Sequence, residues 1–139
     1  RVKLKHLDAD TEKRRQVAKT YLSGLDYALG CKSQASSLSS QASGLILPHV
    51  ADYGTTARHL FVIRHPQRDV LAEHLRQAGI QTMIHYPVPS HQQVAYPELA
   101  GLALPLTEAI HQEVLSLPIS PVMTDSDVEQ VLTQLRKFD

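Results

Sequence analysis

The sequence has 139 residues, a length typical of one folded domain with its own hydrophobic core. With 42% hydrophobic and 20% charged residues, its composition is that of a globular protein and excludes the disordered and fibrous classes. The 14 Lys and Arg residues balance the 14 Asp and Glu residues, so the chain lacks the basic excess with which proteins bind nucleic acid or anionic membranes.

The first predicted element is a helix over residues 10–29. Asp10 is a suitable N-cap, and one face repeats apolar residues at steps of three or four, as a buried helix stripe does. This stripe consists of Val17, Tyr21, Leu25 and Ala28. Residues 31–44 follow and are rich in serine with few large apolar side chains, which predicts a flexible loop.

Two strands are predicted after this loop, at residues 45–52 and 58–64, with a tight turn at residues 53–56 between them. The second strand carries a continuous apolar run from Leu60 to Ile63. Such a run is typical of a strand that is buried on both faces. We therefore expect this strand to be buried.

A helix is predicted to open at His65-Pro66, because proline is favoured in the first turn of a helix. Its apolar stripe consists of Leu71, Leu75 and Ala78. Gly79 follows at the position where a left-handed C-cap is needed. These start and stop signals make this helix the best marked element of the sequence.

A third strand is predicted over residues 80–86, which alternate in polarity until Pro87 and Pro89 end the run. One face of this strand holds Ile80, Thr82, Ile84 and Tyr86, and the other holds Gln81, Met83 and His85. In this interpretation Tyr86 lies on the apolar face and His85 on the polar face.

Two further helices complete the chain. A short helix is predicted after Thr107, carrying Ala109, Ile110 and Val114 and ending at Leu117-Pro118. The last helix begins at Thr124 with Asp127 three positions on, a capping-box arrangement. Its predicted core face consists of Val128, Val131, Leu132, Leu135 and Phe138.

This element order predicts a single α+β domain over residues 1–139, with a small sheet of about three strands packed against helices and an α+β core over residues 45–139. The single cysteine, Cys31, has no partner for an intrachain disulfide, and the N-terminus lacks the layout of a secretion signal. No apolar run approaches the length of a membrane span. We expect a cytoplasmic protein and, because position 1 is not Met, a piece of a longer chain.

The residues by themselves do not identify a reaction. His85 and His91 form the histidine pair with the most distinctive context, but a zinc or iron site needs three or four ligands, and neither Cys-x-x-Cys nor His-Glu-x-x-His is present. The glycines form no phosphate-binding pattern, and no serine stands in a nucleophile elbow. A small metal-dependent enzyme that uses His85 and His91 remains one hypothesis.

Polar side chains at the ends of apolar strands are the other candidates for function. Arg64 ends one predicted strand, and His85 with Tyr86 ends another just before a double-proline loop. A sheet fixes the direction of such side chains, so they often contact ligands. The structural alternative is that His85 satisfies a backbone carbonyl and that Tyr86 belongs to the core.

Several segments in order resemble the small C-terminal domain of the DegT/DnrJ/EryC1/StrS aminotransferases. The central match comprises Arg58-His-Leu-Phe-Val-Ile-Arg64 and Gly79-Ile-Gln-Thr-Met-Ile-His-Tyr-Pro-Val-Pro-Ser-His91. Lys5-His-Leu-Asp with Arg14-Arg-Gln-Val-Ala-Lys-Thr-Tyr21 resembles the family's bridging helix. Leu115-Ser-Leu-Pro-Ile-Ser-Pro121 resembles the strand before its last helix. The Ser-rich segment is longer than is usual in this family.

The resemblance implies the small domain of a fold-type I enzyme that uses pyridoxal phosphate to move an amino group, usually from glutamate, onto a keto sugar linked to a nucleotide. In this family the cofactor's lysine and most phosphate contacts come from the large N-terminal domain, for which this chain has no matching segment. Lys32 lacks the surrounding pattern of that lysine. The resemblance therefore implies no cofactor site in this chain and no catalysis by the chain alone.

The same resemblance implies that His85, Tyr86 and His91 contact the nucleotide sugar, since they match the family's strand-end His-Tyr and the histidine of the following loop. The Tyr-Pro-x-Pro motif at residues 86–89 is similar to that of the family's branch that aminates 3-keto-6-deoxyhexoses on thymidine diphosphate. An alternative is a free-standing binding module that reuses this fold. In either case we expect self-association through an exposed apolar face.

Overall fold

The structure, a computed structural model, describes residues 2–29, 44–50 and 54–138. The structure combines four described helices with a small antiparallel sheet, so the predicted α+β class is confirmed. The described helices are α1 (Leu7–Leu29), α2 (Arg68–Gln77), α3 (Pro105–Glu113) and α4 (Asp125–Phe138), and the strands are β1 (Phe61–Arg64) and β2 (Val114–Leu117). Short 3-10 turns lie at Lys3–His6, Ser90–Gln92 and Pro97–Leu99. The predicted Ser-rich loop at residues 31–44 lies outside the described residues except for Gly44.

The sheet consists of β1 and β2 with one bridged residue on each side. Phe61 of β1 is opposite Leu117 of β2, and Arg64 is opposite Val114. Along the outer edge of β1, Ile46 exchanges backbone hydrogen bonds with Arg64. Along the outer edge of β2, Met83 exchanges them with Ser116. Four chain segments therefore lie side by side, although only two of them are strands.

The predicted third strand over residues 80–86 is wrong, and the outer edge of β2 explains why. Only Ser116 offers both its N–H and C=O to a neighbour, at 2.8 and 3.2 Å from the backbone of Met83. The Val114 carbonyl accepts from Arg68 Nη1, and its N–H donates to a carbonyl of α3. Pro118 has no N–H to donate. A ladder of more than one residue cannot form at this edge.

The predicted strand over residues 45–52 is reduced to the single bridge at Ile46 for a similar reason. Antiparallel pairing of Ile46 with Arg64 would place Pro48 opposite Val62, where proline has no N–H for the ladder. Residues 51–53 lie outside the described part of the chain.

The helix boundaries correct several further predictions. α1 begins at Leu7 instead of residue 10, so Asp10 lies in its first turn and is not its N-cap. α3 ends at Glu113, and the next four residues, which were predicted as the end of a helix, form β2. α2 begins at Arg68, so its predicted start at His65-Pro66 is wrong, but Gly79 has a φ of 79° after its end, as the predicted C-cap role requires. At α4 the predicted capping box is confirmed, since Asp127 accepts from the Thr124 N–H at 2.8 Å.

The core lies between one face of the sheet and the helices α1, α2 and α4. Its largest fully buried side chains are Tyr21, Leu25, Phe61, Ile63, Leu71, Leu75, Leu115 and Leu132. The ring of Tyr21 packs on Phe61 at 5.1 Å, and its hydroxyl donates to the Pro118 carbonyl at 2.9 Å. Burial raises the pKa of Tyr21 well above its ordinary value. The opposite face of the sheet carries Val62 and Ser116.

No helix in the described ranges is long and apolar enough to cross a membrane.

Candidate functional site

His85 stands on the sheet face opposite the core, two residues after the bridge at Met83. Because side chains alternate along an extended chain, His85 and Met83 share the face of Ser116. The Nδ1 atom of the His85 ring lies 2.8 Å from Ser116 Oγ. The structural alternative in which His85 satisfies a backbone carbonyl is therefore wrong, because its partner is a side-chain hydroxyl.

Tyr86 is 67% exposed, so its predicted place on an apolar core face is wrong. The cause is the absence of the predicted third strand. After the bridge at Met83, residues 84–86 turn away from the edge of β2 toward the double-proline loop. The peptide bond between His85 and Tyr86 is cis, and the two rings meet edge to face at 5.6 Å. The imidazole of His85 and the accessible phenol ring of Tyr86 therefore lie side by side.

His91 has a different environment from His85. It is only 3% exposed, and its Nε2 donates to Glu108 Oε1 of α3 at 3.2 Å. The same carboxylate oxygen accepts from the Leu104 backbone N–H at 2.9 Å. These two hydrogen bonds, that from Leu104 first, lower the pKa of Glu108.

The segment of residues 86–104, called the 86–104 loop below, is fastened to α3 at both ends. His111 Nδ1 donates to the Tyr86 carbonyl at 2.5 Å, and Glu108 holds Leu104 at the other end. Exposed apolar side chains lie along this loop: Tyr86, Val88, Val94, Tyr96, Leu102 and Leu104. The loop thus presents apolar groups to solvent while its ends are fixed.

Arg64, a candidate at a strand end, is used within the fold. Its Nη2 and Nε donate to Glu113 Oε2 at 2.7 and 3.0 Å. Arg68, which is buried, donates from Nη1 to the Val114 carbonyl at 3.2 Å. These two arginines fix the junction between α3 and β2, which carries Ser116 two residues later.

The metalloenzyme hypothesis finds no support in residues 2–29, 44–50 and 54–138. Within these ranges no three His, Cys, Asp or Glu side chains are grouped so that they could hold a metal ion. His85 faces a serine and His91 faces one glutamate. Cys31 lies outside the described residues.

The described residues also do not fit pyridoxal phosphate. That cofactor needs a lysine, cations for its phosphate and an acidic or basic partner for its pyridine nitrogen. The described lysines are all exposed, and one of them, Lys13, lines a cleft of about 410 Å³ between α1 and the start of α4. That cleft has neither an arginine nor an aromatic ring in its lining. Lys32 lies outside the described residues.

Sequence reasoning missed Ser116, Glu108 and His111, which position the candidate residues. Ser116 carried a signal, since it is the one polar residue in the otherwise apolar Val114–Leu117 segment. Glu108 and His111 carried no such signal in the sequence, because polar residues on a short helix are ordinarily solvated.

Comparison with protein families matches residues 1–136 to the DegT/DnrJ/EryC1/StrS aminotransferase family. One relative is the dTDP-3-amino-3,6-dideoxy-alpha-D-galactopyranose transaminase of Aneurinibacillus thermoaerophilus, 37% identical over 99% of this chain and 34% of its own length. Another is the dTDP-3-amino-3,4,6-trideoxy-alpha-D-glucose transaminase of Streptomyces venezuelae, 36% identical over 99% of this chain and 33% of its own length. The chain thus spans about a third of each relative.

Solved structures show the same likeness. The structure of S. venezuelae DesV in complex with a ketimine intermediate superposes with a TM-score of 0.85 and 36% identity, over 99% of this chain and 34% of that one. A family member from Brucella abortus gives a TM-score of 0.77 and 27% identity, over 98% and 33% of the two chains.

Proposed function

The chain belongs to the DegT/DnrJ/EryC1/StrS aminotransferase family, and on this premise we propose that it forms the small domain of a pyridoxal-phosphate-dependent aminotransferase acting on a keto sugar linked to a nucleotide. The named relatives act on dTDP-linked amino-deoxyhexoses, which supports a dTDP-3-keto-6-deoxyhexose as the substrate. The proposed enzyme acts in the cytoplasm.

The cofactor is proposed to lie in the two thirds of the relatives' length that this chain does not span. When bound there, pyridoxal phosphate carries the amino group between the donor and the sugar. The described lysines support this assignment, since all of them are exposed and the cleft that Lys13 lines contains no arginine for the cofactor's phosphate.

This chain's proposed share of the reaction is to bind and orient the nucleotide sugar through His85, Tyr86 and His91. The observation that carries this proposal is the pair at residues 85 and 86, where a fixed imidazole stands beside an exposed phenol ring. An imidazole can hydrogen-bond a sugar or phosphate oxygen, and an aromatic ring can stack on a base or sugar. His91 is buried and contributes by holding the 86–104 loop beside them.

A chimeric enzyme tests this function. This chain would replace the corresponding third of the S. venezuelae transaminase, to which it is 36% identical, and amino transfer to a dTDP-linked keto sugar would be measured. We expect the chimera to turn over and the 139-residue chain alone to be inactive. A folded chimera that binds pyridoxal phosphate but transfers no amino group contradicts the proposal.

Self-association is a second proposal, favoured by the exposed apolar side chains of the 86–104 loop. Exposed apolar area of this kind commonly marks a contact with another protein surface. The proposed partner is a second copy of this chain. The same association is proposed if the chain is a free-standing binding module, the alternative that the sequence left open.

A further inference from the structure

Ser116 is a polar residue in an apolar place. It occupies the third position of β2, is 4% exposed, and is flanked by Leu115 and Leu117 of the core. Its backbone N–H and C=O are both used in the bridge to Met83. A buried hydroxyl is almost always hydrogen-bonded, so its partner carries information about its role.

Ser116 Oγ and His85 Nδ1 share a hydrogen bond, and the surroundings of Oγ indicate which of the two atoms donates. Among the side chains and backbone groups that the structure describes, Oγ has one hydrogen-bond partner, the Nδ1 atom of His85 at 2.8 Å. A hydroxyl hydrogen needs an acceptor, and here only Nδ1 can serve as one. If Nδ1 carried a proton instead, the buried hydroxyl hydrogen would have no acceptor, which is costly.

The direction of this bond determines the protonation pattern of His85. A neutral imidazole that accepts at Nδ1 carries its proton on Nε2. Within the described part of the chain Nε2 has no hydrogen-bond partner, and the only buried side-chain polar atom without one is Arg136 Nε. The Nε2 atom of His85 is therefore accessible, beside the exposed ring of Tyr86.

We propose that Ser116 is a positioning residue that holds His85 in the Nε2–H form and so makes it a hydrogen-bond donor toward an oxygen atom of the nucleotide sugar. The functional half of this proposal rests on the proposed function. A donor at this position favours sugar hydroxyl, carbonyl or phosphate oxygens and disfavours groups that only donate, such as an ammonium.

The framework around Ser116 explains how the pair keeps its geometry. The Met83 bridge sets the register of Ser116 two residues from His85, and Arg68 fixes the Val114 carbonyl two residues before Ser116. The hydroxyl is thus held on a strand anchored at both sides. A serine that merely filled space would not depend on this alignment.

Nuclear magnetic resonance of the ring nitrogens tests the proposal on the 139-residue chain. Long-range proton–nitrogen correlations distinguish the two neutral forms of histidine, and His85→Gln identifies the His85 signals. The measurement is made at alkaline pH, where an ordinary imidazole is neutral. We expect the wild-type ring with its proton on Nε2, and in Ser116→Ala about a tenfold lower ratio of the Nε2–H to the Nδ1–H form, the effect of one lost hydrogen bond.

Ser116→Thr is the matched control, since it keeps the hydroxyl and should keep the wild-type ring pattern, with amide spectra verifying the fold of each variant. A wild-type His85 with its proton on Nδ1 overturns the proposal without any variant. An unchanged ring pattern in folded Ser116→Ala also overturns it. The measurement uses no substrate, so failure of the chimeric enzyme to transfer an amino group counts against the proposed function and leaves the role of Ser116 standing.

Discussion

Glu108 Oε1 accepts hydrogen bonds from both His91 Nε2 and the Leu104 N–H, at 3.2 and 2.9 Å, so one carboxylate holds the middle and the end of the 86–104 loop. His91 is buried, and its imidazole has no solvent to replace this partner. The loop's fixed position therefore depends on Glu108.

Replacing Glu108 with Ala should loosen the loop and lower the melting temperature, because both donors lose their acceptor. Faster amide hydrogen exchange at residues 86–104 is the direct readout. Glu98→Ala is the matched control, since Glu98 is exposed in the same loop and is expected to change stability little. Equal exchange rates in the two variants would show that Glu108 does not fasten the loop.

The Glu108 carboxylate should also make the free energy of unfolding depend on pH in a defined direction. Hydrogen bonds from Leu104 and His91 lower the pKa of Glu108 in the folded chain, so its stabilising effect is present above the ordinary glutamate range. It is lost as the pH falls through the lowered folded pKa. Urea unfolding should therefore show a difference in the free energy of unfolding between wild type and Glu108→Gln that narrows as the pH falls through and below the glutamate range. A difference that persists there undiminished would contradict this.

The purified chain should not take up pyridoxal phosphate at a defined site. The described lysines are all exposed, and the cleft that Lys13 lines contains no arginine for the cofactor's phosphate. Incubation with the cofactor, borohydride reduction and mass spectrometry should show at most scattered, substoichiometric labelling. A stoichiometric adduct at one lysine, Lys32 included, would contradict the prediction.

Self-association should respond to charge on the 86–104 loop. Val94 is 97% exposed there, and Val94→Glu should shift sedimentation toward the monomer because the charge would be buried in the contact. Val122, 83% exposed outside the loop, provides the control Val122→Glu, which should associate like wild type. A strict monomer at high micromolar concentration in the unsubstituted chain would contradict the proposal at once.

Local signals in the sequence were sufficient for some of the elements. The end of α2 is marked by Gly79 with its positive φ, and the start of α4 by the capping box of Thr124 and Asp127. Such signals act within a few residues, so they can be read without knowledge of the fold. The family resemblance likewise identified the correct strand at residues 115–117, where periodicity had indicated a helix end.

The failures concern contacts between residues far apart in the chain. Whether residues 80–86 form a strand depends on the edge of β2, where Arg68 and Pro118 leave only Ser116 available for pairing. The hydrogen bond between His85 and Ser116 joins residues 31 positions apart. Alternation of polarity placed His85 on the polar face, but it could not show which neighbour fixes the ring.

Replacing His85 with Ala in the chimeric transaminase is the most direct test of the proposed nucleotide-sugar site. The half-buried imidazole lies outside the core, so the melting temperature should fall only by the effect of the one lost hydrogen bond with Ser116. We expect kcat/KM for the dTDP-linked keto sugar to fall about 2- to 10-fold, or up to about 100-fold if His85 contacts a charged phosphate. His49→Ala, at an exposed histidine, should leave both quantities unchanged. Unaltered kcat/KM together with a lowered melting temperature in His85→Ala would show that His85 is structural and would contradict the proposed site.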